Sequence, residues 1–358
     1  MENKSGYIPY LDGCRALAIS IVVFSHAGLG KIIPGKFGVT FFFFISGYLI
    51  TRLLITEIKE KGRIQFLPFY LRRLFRLYPA LLVMIVCSAV AAYIMNCPLQ
   101  TKDIFAALFY YTNYYIGWFR TPVEDCGRLL DILWSLSVEE HFYLIFPLFI
   151  HLALKNKAAN ASNHFIKILV ALCAIGIVIR VATYFYFNGD LNIISGRIYF
   201  STHTRMDSII WGCLAAVLMF QKESAVYLKS IQNKWIIASA LLALILSVAI
   251  RNEFFRQTLL YSFQGYGLFI LIPAIGEHKN EWIKNVMASK GLIFIGKISY
   301  SLYLFHWVAL KLSNHFFSEF GVSWQLFFWT LTILLSLGSY YVIEKPFVRI
   351  RKKFGSTI

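Results

Sequence analysis

Charge is scarce in this chain. Of 358 residues, 15% are charged and 58% hydrophobic, with a mean hydropathy of +0.62, whereas about a quarter of the residues of a soluble domain are charged. That shortage excludes an ordinary soluble fold. Long polar segments are missing too, the longest stretch between apolar runs being about 97–133, so no appended soluble catalytic domain or linker is expected. Repeats of the kind built into inverted-repeat transporters are not found. The six cysteines (Cys14, Cys87, Cys97, Cys126, Cys173, Cys213) show no metal-ligand spacing, which argues against a metal site.

Apolar runs dominate instead. A bilayer core of about 30 Å needs roughly 20 mostly apolar residues to cross it. Ten such segments occur, near 10–30, 37–56, 77–96, 134–153, 165–187, 207–221, 235–250, 258–276, 295–314 and 323–343. The net charge of +17 could signal nucleic acid, but in an apolar chain it reports Lys and Arg kept on the cytoplasmic side. With a cytoplasmic N-terminus, the inner segments hold twenty-two Lys and Arg and the outer loops nine. The reading is an all-α integral membrane protein of about ten transmembrane helices, both termini cytoplasmic, in one domain over 1–358, with no nucleic-acid partner. The first run is not a cleavable signal peptide, since it carries Arg15 and His26 and is followed by Gly30-Lys31-Ile32. Cys97 and Cys126 both fall on the outer side, where a disulfide is permitted in an oxidising compartment and two free thiols are the alternative. Cys14, beside Arg15, reads as a small buried hydrophobe rather than a nucleophile.

Arg15 and His26 stand eleven residues apart in the first run. Eleven steps of about 100° return the second residue to within roughly 20° of the first, about 16 Å further along one helix face. Ionisable groups inside a span mark functional sites by default, the plainer alternative being helix-helix contact.

Under this topology the polar residues of the spans form two layers. The inner layer holds Arg15 and the run Tyr70-Leu-Arg72-Arg73-Leu-Phe-Arg76-Leu-Tyr78-Pro79. Arg73 and Arg76, three apart, share a helical face. Guanidinium forks suit phosphate oxygens, so a phosphorylated ligand entering from the cytoplasm fits this layer, although basic residues here also anchor a span to anionic lipid. The outer layer holds His26 and Trp134-Ser-Leu-Ser137-Val-Glu139-Glu140-His141-Phe-Tyr143. A neutral imidazole oriented by a carboxylate is what a general base needs to deprotonate a hydroxyl, so Glu139 or Glu140 is expected beside His26; a His-Glu pair that only joins two helices is the alternative. Thr204-Arg205-Met-Asp207 enters from the same side, its two charges either satisfying each other or binding an acceptor. Tyr303 and His306, three apart, either line the cavity or bond a neighbouring helix. Glu344-Lys345-Pro346 is expected to end the last helix, with structural charges.

These stretches, together with Gly38-Val-Thr-Phe-Phe-Phe-Phe-Ile-Ser-Gly-Tyr-Leu-Ile50 and Ile298-Ser-Tyr-Ser-Leu-Tyr303, resemble in residues and in order the acyltransferase-3 membrane family, from residue 7 to about 350. Lys345 departs from the arginine of many relatives but keeps the charge. The resemblance implies a membrane O-acyltransferase of the bacterial cytoplasmic (inner) membrane that moves acetyl from acetyl-CoA to a hydroxyl of a lipid-linked or cell-surface saccharide, such as lipopolysaccharide O-antigen or exopolysaccharide. It implies a stand-alone transferase, without the SGNH-type domain that some relatives carry, and no metal cofactor. In that frame Arg15, Arg72, Arg73 and Arg76 hold the CoA phosphates and His26 is the general base, oriented by Glu139 or Glu140. Trp134, Ser137, Arg205, Asp207, Tyr303 and His306 are expected around the acceptor and cavity. Succinyl or another acyl group, or outside the enzyme class a permease for an acidic solute, are the alternatives.

Overall fold

A computed structural model describes residues 7–97, 99–120, 128–154, 161–220, 225–277 and 281–352, and among these no strand occurs. Ten principal helices run as α1 (Pro9–Phe24), α2 (Gly35–Lys61), α3 (Phe66–Ile94), α4 (Trp134–Leu154), α5 (Ala161–Tyr186), α6 (Thr202–Phe220), α7 (Lys234–Ala249), α8 (Leu260–Glu277), α9 (Ser299–Phe316) and α10 (Val322–Gly338). One lies at each of the ten expected apolar segments. Among the described residues, five helices are long and apolar enough to cross a membrane, or up to seven if two bent helix pairs each count as one span. The question of a Cys97–Cys126 disulfide or two free thiols lies outside the described residues, because Cys126 does.

Two boundaries differ from expectation in ways that shape the interior. Helix α3 begins at Phe66 rather than near 77, so the arginine run is helical. Arginine is a good helix former, and its long apolar stem lets a helix extend beyond its hydrophobic part. At the other end of the chain Pro346 does not stop the last helix. A π-turn over Ser339–Glu344 precedes a new helix, Lys345–Lys352, with Pro346 in its first turn, where a missing N–H costs nothing.

Close packing of α2 on α6 forms the middle of the bundle, and two glycines permit it. A Cβ at Gly47 would lie 2.0 Å from the Ile209 carbonyl oxygen, and one at Gly212 would lie 2.0 Å from that of Phe44. Neither position tolerates a side chain, so the two backbones touch, as small residues allow in membrane interfaces. A second such contact sets the first turn of α1, where a Cβ at Gly296 would meet the Asp12 carbonyl at 2.0 Å. That contact presses the helix Lys290–Lys297 onto α1, and this helix meets α9 at 64°.

Helices α5, α6 and α8 are clamped by Arg180, which is fully buried. Its guanidinium donates to both Asp207 carboxylate oxygens at 2.9 and 2.8 Å, to the Thr204 carbonyl at 2.7 Å, to the Thr258 carbonyl at 2.6 Å and to Ser262 Oγ at 2.8 Å. Desolvating two charges is repaid only when geometry and additional hydrogen bonds are both good, as here. Removing one partner alone strands the other. Asp207→Asn is therefore expected to destabilise the detergent-solubilised protein by about 3–5 kcal/mol, whereas Arg180→Met/Asp207→Leu costs less than that single change. Thermal melts of the wild type and the two variants check the order, and a double variant less stable than Asp207→Asn would count against the clamp.

Candidate functional site

A cavity of about 500 Å³ opens within the bundle, in the size range of small-molecule sites. Arg15, Arg72, Arg73, Arg76 and Lys297 line it, against Asp12, Glu139 and Glu344. Arg15 comes from α1, the next three from α3, and Lys297 from the helix pressed onto α1. Arg15 Nη2 donates to Ser299 Oγ at 3.1 Å and lies 4.0 Å from Asp12. Arg72 lies 3.9 Å from Glu57. The Arg73 guanidinium sits 3.3 Å from the ring centroid of Tyr143, a stacked cation–π contact. Tyr143 in turn donates to Glu139 Oε2 at 3.0 Å, and Ser46 Oγ donates to the same oxygen at 3.0 Å. Glu344 accepts from Ser301. Five basic side chains against three acids give the cavity a net positive charge, which favours anions.

On the side toward His306 the cavity is lined by Ser135 and Tyr303. Tyr303 donates to the Ile132 carbonyl at 3.1 Å, and with its only proton so used it accepts from Ser135 Oγ at 2.6 Å. Its ring centroid is 5.8 Å from that of His306, which is fully buried. Beyond it stands the first-span histidine. His26 Nδ1 and His306 Nε2 are 3.0 Å apart, the rings nearly parallel at 11° with centroids 5.2 Å apart. The edge of Trp307 packs 5.3 Å from the His26 ring.

Local backbone geometry puts His26 there. It lies in a π-turn, Ser25–Leu29, that follows α1. Two residues on, Gly28 adopts φ 103°, a conformation that glycine takes without strain, and a Cβ there would come within 2.8 Å of the Phe320 ring. The chain turns over directly after the imidazole.

The expected site residues divide into three groups. Arg15, Arg72, Arg73, Arg76, Glu139 and Tyr303 share the cavity. His26 and His306 form a pair beyond its end. Trp134, Ser137, Glu140, Arg205 and Asp207 do not line it: Trp134 packs on Phe43 and Tyr199, and Ser137 donates to the Leu133 carbonyl at 3.1 Å. Glu140 Oε1 is buried with no hydrogen-bond partner among the described residues.

Two pairings differ from expectation. Among the described residues no carboxylate bonds His26: Glu139 is engaged by Ser46 and Tyr143, and His26 pairs with His306. Nor do Arg205 and Asp207 satisfy each other, because Arg180 takes both oxygens of Asp207. Arg205, fully buried, donates from Nη2 to Thr40 Oγ1 at 3.0 Å, while Nε and Nη1 have no partner among the described residues. Aromatic rings compensate instead, with the Tyr261 centroid 3.7 Å and the Tyr199 centroid 5.3 Å from its guanidinium carbon. Sequence reasoning missed Arg180, although a lone arginine in the apolar run 165–187 was signal enough. Ser46, Tyr143 and Ser299 stand in the stretches read from the sequence without a role of their own there, and with Lys297 they are brought to the cavity only by the packing.

A family model described as an acyltransferase domain matches residues 8–344. Among curated proteins, the chain is similar to one named "Putative O-acetyltransferase SACOL0978" from Staphylococcus aureus strain COL, 31% identical over 96% of this chain and 58% of the relative. It is similar also to O-acetyltransferase OatA from Staphylococcus aureus strain NCTC 8325 / PS 47, 32% identical over 97% of this chain and 58% of the relative. The chain thus spans a little over half the length of these relatives. No solved structure matches it. With a family model covering nearly every described helix, the chain belongs to the acyltransferase-3 family.

Proposed function

We propose that this protein is a multi-pass O-acyltransferase that moves an acetyl group from acetyl-CoA to a hydroxyl of a cell-surface saccharide, with lipopolysaccharide O-antigen or exopolysaccharide as the expected class. One observation carries the reading: a cavity with five basic side chains ends one aromatic ring from an imidazole pair. In it Arg15, Arg72, Arg73 and Arg76 meet the phosphates of CoA, by charge-assisted and forked hydrogen bonds. The family and the names of the relatives favour acetyl over succinyl. Ten spans with both termini in the cytoplasm fit a helix at each apolar segment and the uneven distribution of Lys and Arg. That topology opens the basic end of the cavity toward the compartment where acyl-CoA is made, and turns His26 toward the outer face. The cytoplasmic membrane is the site of action.

The chemistry then runs in one direction. His26 takes the proton of the acceptor hydroxyl as its oxygen attacks the thioester carbonyl; the C–O bond forms, the C–S bond breaks, and His26 returns the proton to the departing CoA sulfur. General-base catalysis of this kind is worth roughly 10²–10⁴ in rate. Glu139 has a different task from the one expected of it. Held by Ser46 and Tyr143, it holds Tyr143 under the Arg73 guanidinium and so shapes the donor site.

Purified surface polysaccharide from cells with and without the protein, compared by NMR, identifies both the acyl group and the carbon that bears it. His26→Ala is expected to remove that signal while the protein still inserts and melts normally; O-acetylation at near-normal level in this variant would sink the assignment. Arg73→Ala and Arg76→Ala are expected to raise KM for acetyl-CoA about tenfold each, the worth of a lost charged hydrogen bond. An unchanged KM in both removes them from the donor site. Direct transfer requires that no acetyl label stays on the protein after incubation with acetyl-CoA alone, and label trapped on His26 would establish an acyl-enzyme route instead.

A further inference from the structure

The pairing of two imidazoles, rather than an imidazole and a carboxylate, has a chemical consequence that follows from counting protons. The Leu302 carbonyl oxygen can only accept, and it lies 2.9 Å from His306 Nδ1. His306 Nδ1 therefore carries a proton. A neutral imidazole holds one N–H, so His306 Nε2 presents a lone pair. His26 Nδ1, 3.0 Å from that lone pair, must be the donor. The remaining nitrogen, His26 Nε2, is then bare, and it has no hydrogen-bond partner among the described residues. Burial at the end of the cavity keeps His306 away from water that could compete for the lone pair.

We propose that His306 is a positioning residue, which with the Leu302 carbonyl locks His26 in the tautomer that leaves Nε2 free to take the acceptor's proton. The inference rests on the general-base role given to His26 above and adds to it the group that makes the base competent. When Nε2 accepts the hydroxyl proton, His26 becomes an imidazolium, and its Nδ1–H···Nε2 bond to His306 becomes charge-assisted, roughly twice as strong as a neutral one. The Nδ1 proton stays on His26 throughout, and the Nε2 proton leaves for the CoA sulfur when the thioester breaks. No carboxylate is needed in this relay. Its acceptor is an uncharged ring nitrogen, which suits an apolar interior where an unpaired carboxylate would be costly to desolvate.

Three measurements decide it. In membranes carrying the native glycan, with acetyl-CoA as donor, His306→Leu is expected to lower kcat about 10²–10⁴-fold, the range of general-base catalysis, with KM for acetyl-CoA changed less than about threefold. His306→Gln, whose side-chain oxygen can accept from His26 Nδ1, is expected to recover about tenfold of that loss. A role in packing alone predicts the reverse order, because leucine fills the apolar site better than glutamine. Nitrogen NMR of the histidine-labelled wild-type protein reads the tautomer directly and does not depend on any variant folding: a protonated Nδ1 and a bare Nε2 on His26 are expected. A protonated Nε2, or a glutamine variant no better than the leucine one, overturns the proposal. Loss of activity in His306→Leu together with full activity in His26→Ala would instead overturn the proposed function.

Discussion

A guanidinium taken out of water has to recover its hydration from the protein, and six arginines of this helical bundle do so in three ways. Arg180 is fully paid by a bidentate carboxylate and three further acceptors, which makes it a clamp for α5, α6 and α8. Arg205 has no carboxylate and lies among aromatic faces. Arg15, Arg72, Arg73 and Arg76 face a shared cavity, where they stand among carboxylates, hydroxyls and an aromatic ring. The first solution yields stability and the third yields a site. Because Arg180 engages Asp207 so completely, the charge two residues before it on α6 is left for rings to accommodate.

Backbone contact between helices makes these arrangements possible. Where Gly47 meets Ile209 and Gly212 meets Phe44, α2 and α6 come together without intervening side chains. That brings Thr40 within reach of Arg205 and turns Ser46 toward Glu139. The contact of Gly296 with Asp12 does the same for α1, placing Ser299 against Arg15. The basic cavity and the imidazole pair are thus the two ends of one packed unit, joined through Tyr303. Arg15 on α1 and His26 in the turn that follows it belong to the two ends of this unit.

Much of this was legible in the chain by its periodicity. Apolar runs of about 20 residues marked where helices lie, because a membrane-spanning or bundle-buried helix leaves few polar side chains to choose from. The Arg73–Arg76 face follows from 3.6 residues per turn, whereas the π-turn that holds His26 breaks that period just past α1. Partners were less legible. Glu139 and Glu140 were reasonable neighbours for His26 by depth, and Asp207 a reasonable neighbour for Arg205 by proximity in sequence, yet neither pairing forms.

The sequence by itself determined which segments are helical, which residues share a helix face, and that ionisable groups sit deep in an apolar chain. Only the tertiary structure decided which of those groups meet. His26 and His306 are 280 residues apart, Arg15 and Ser299 are 284 apart, and Ser46 and Glu139 are 93 apart. Depth in a bundle constrains one coordinate of a side chain, and rotation of each helix about its axis constrains another. The neighbour across the interface is fixed by which helices touch, and here that rests on where glycines let backbones approach.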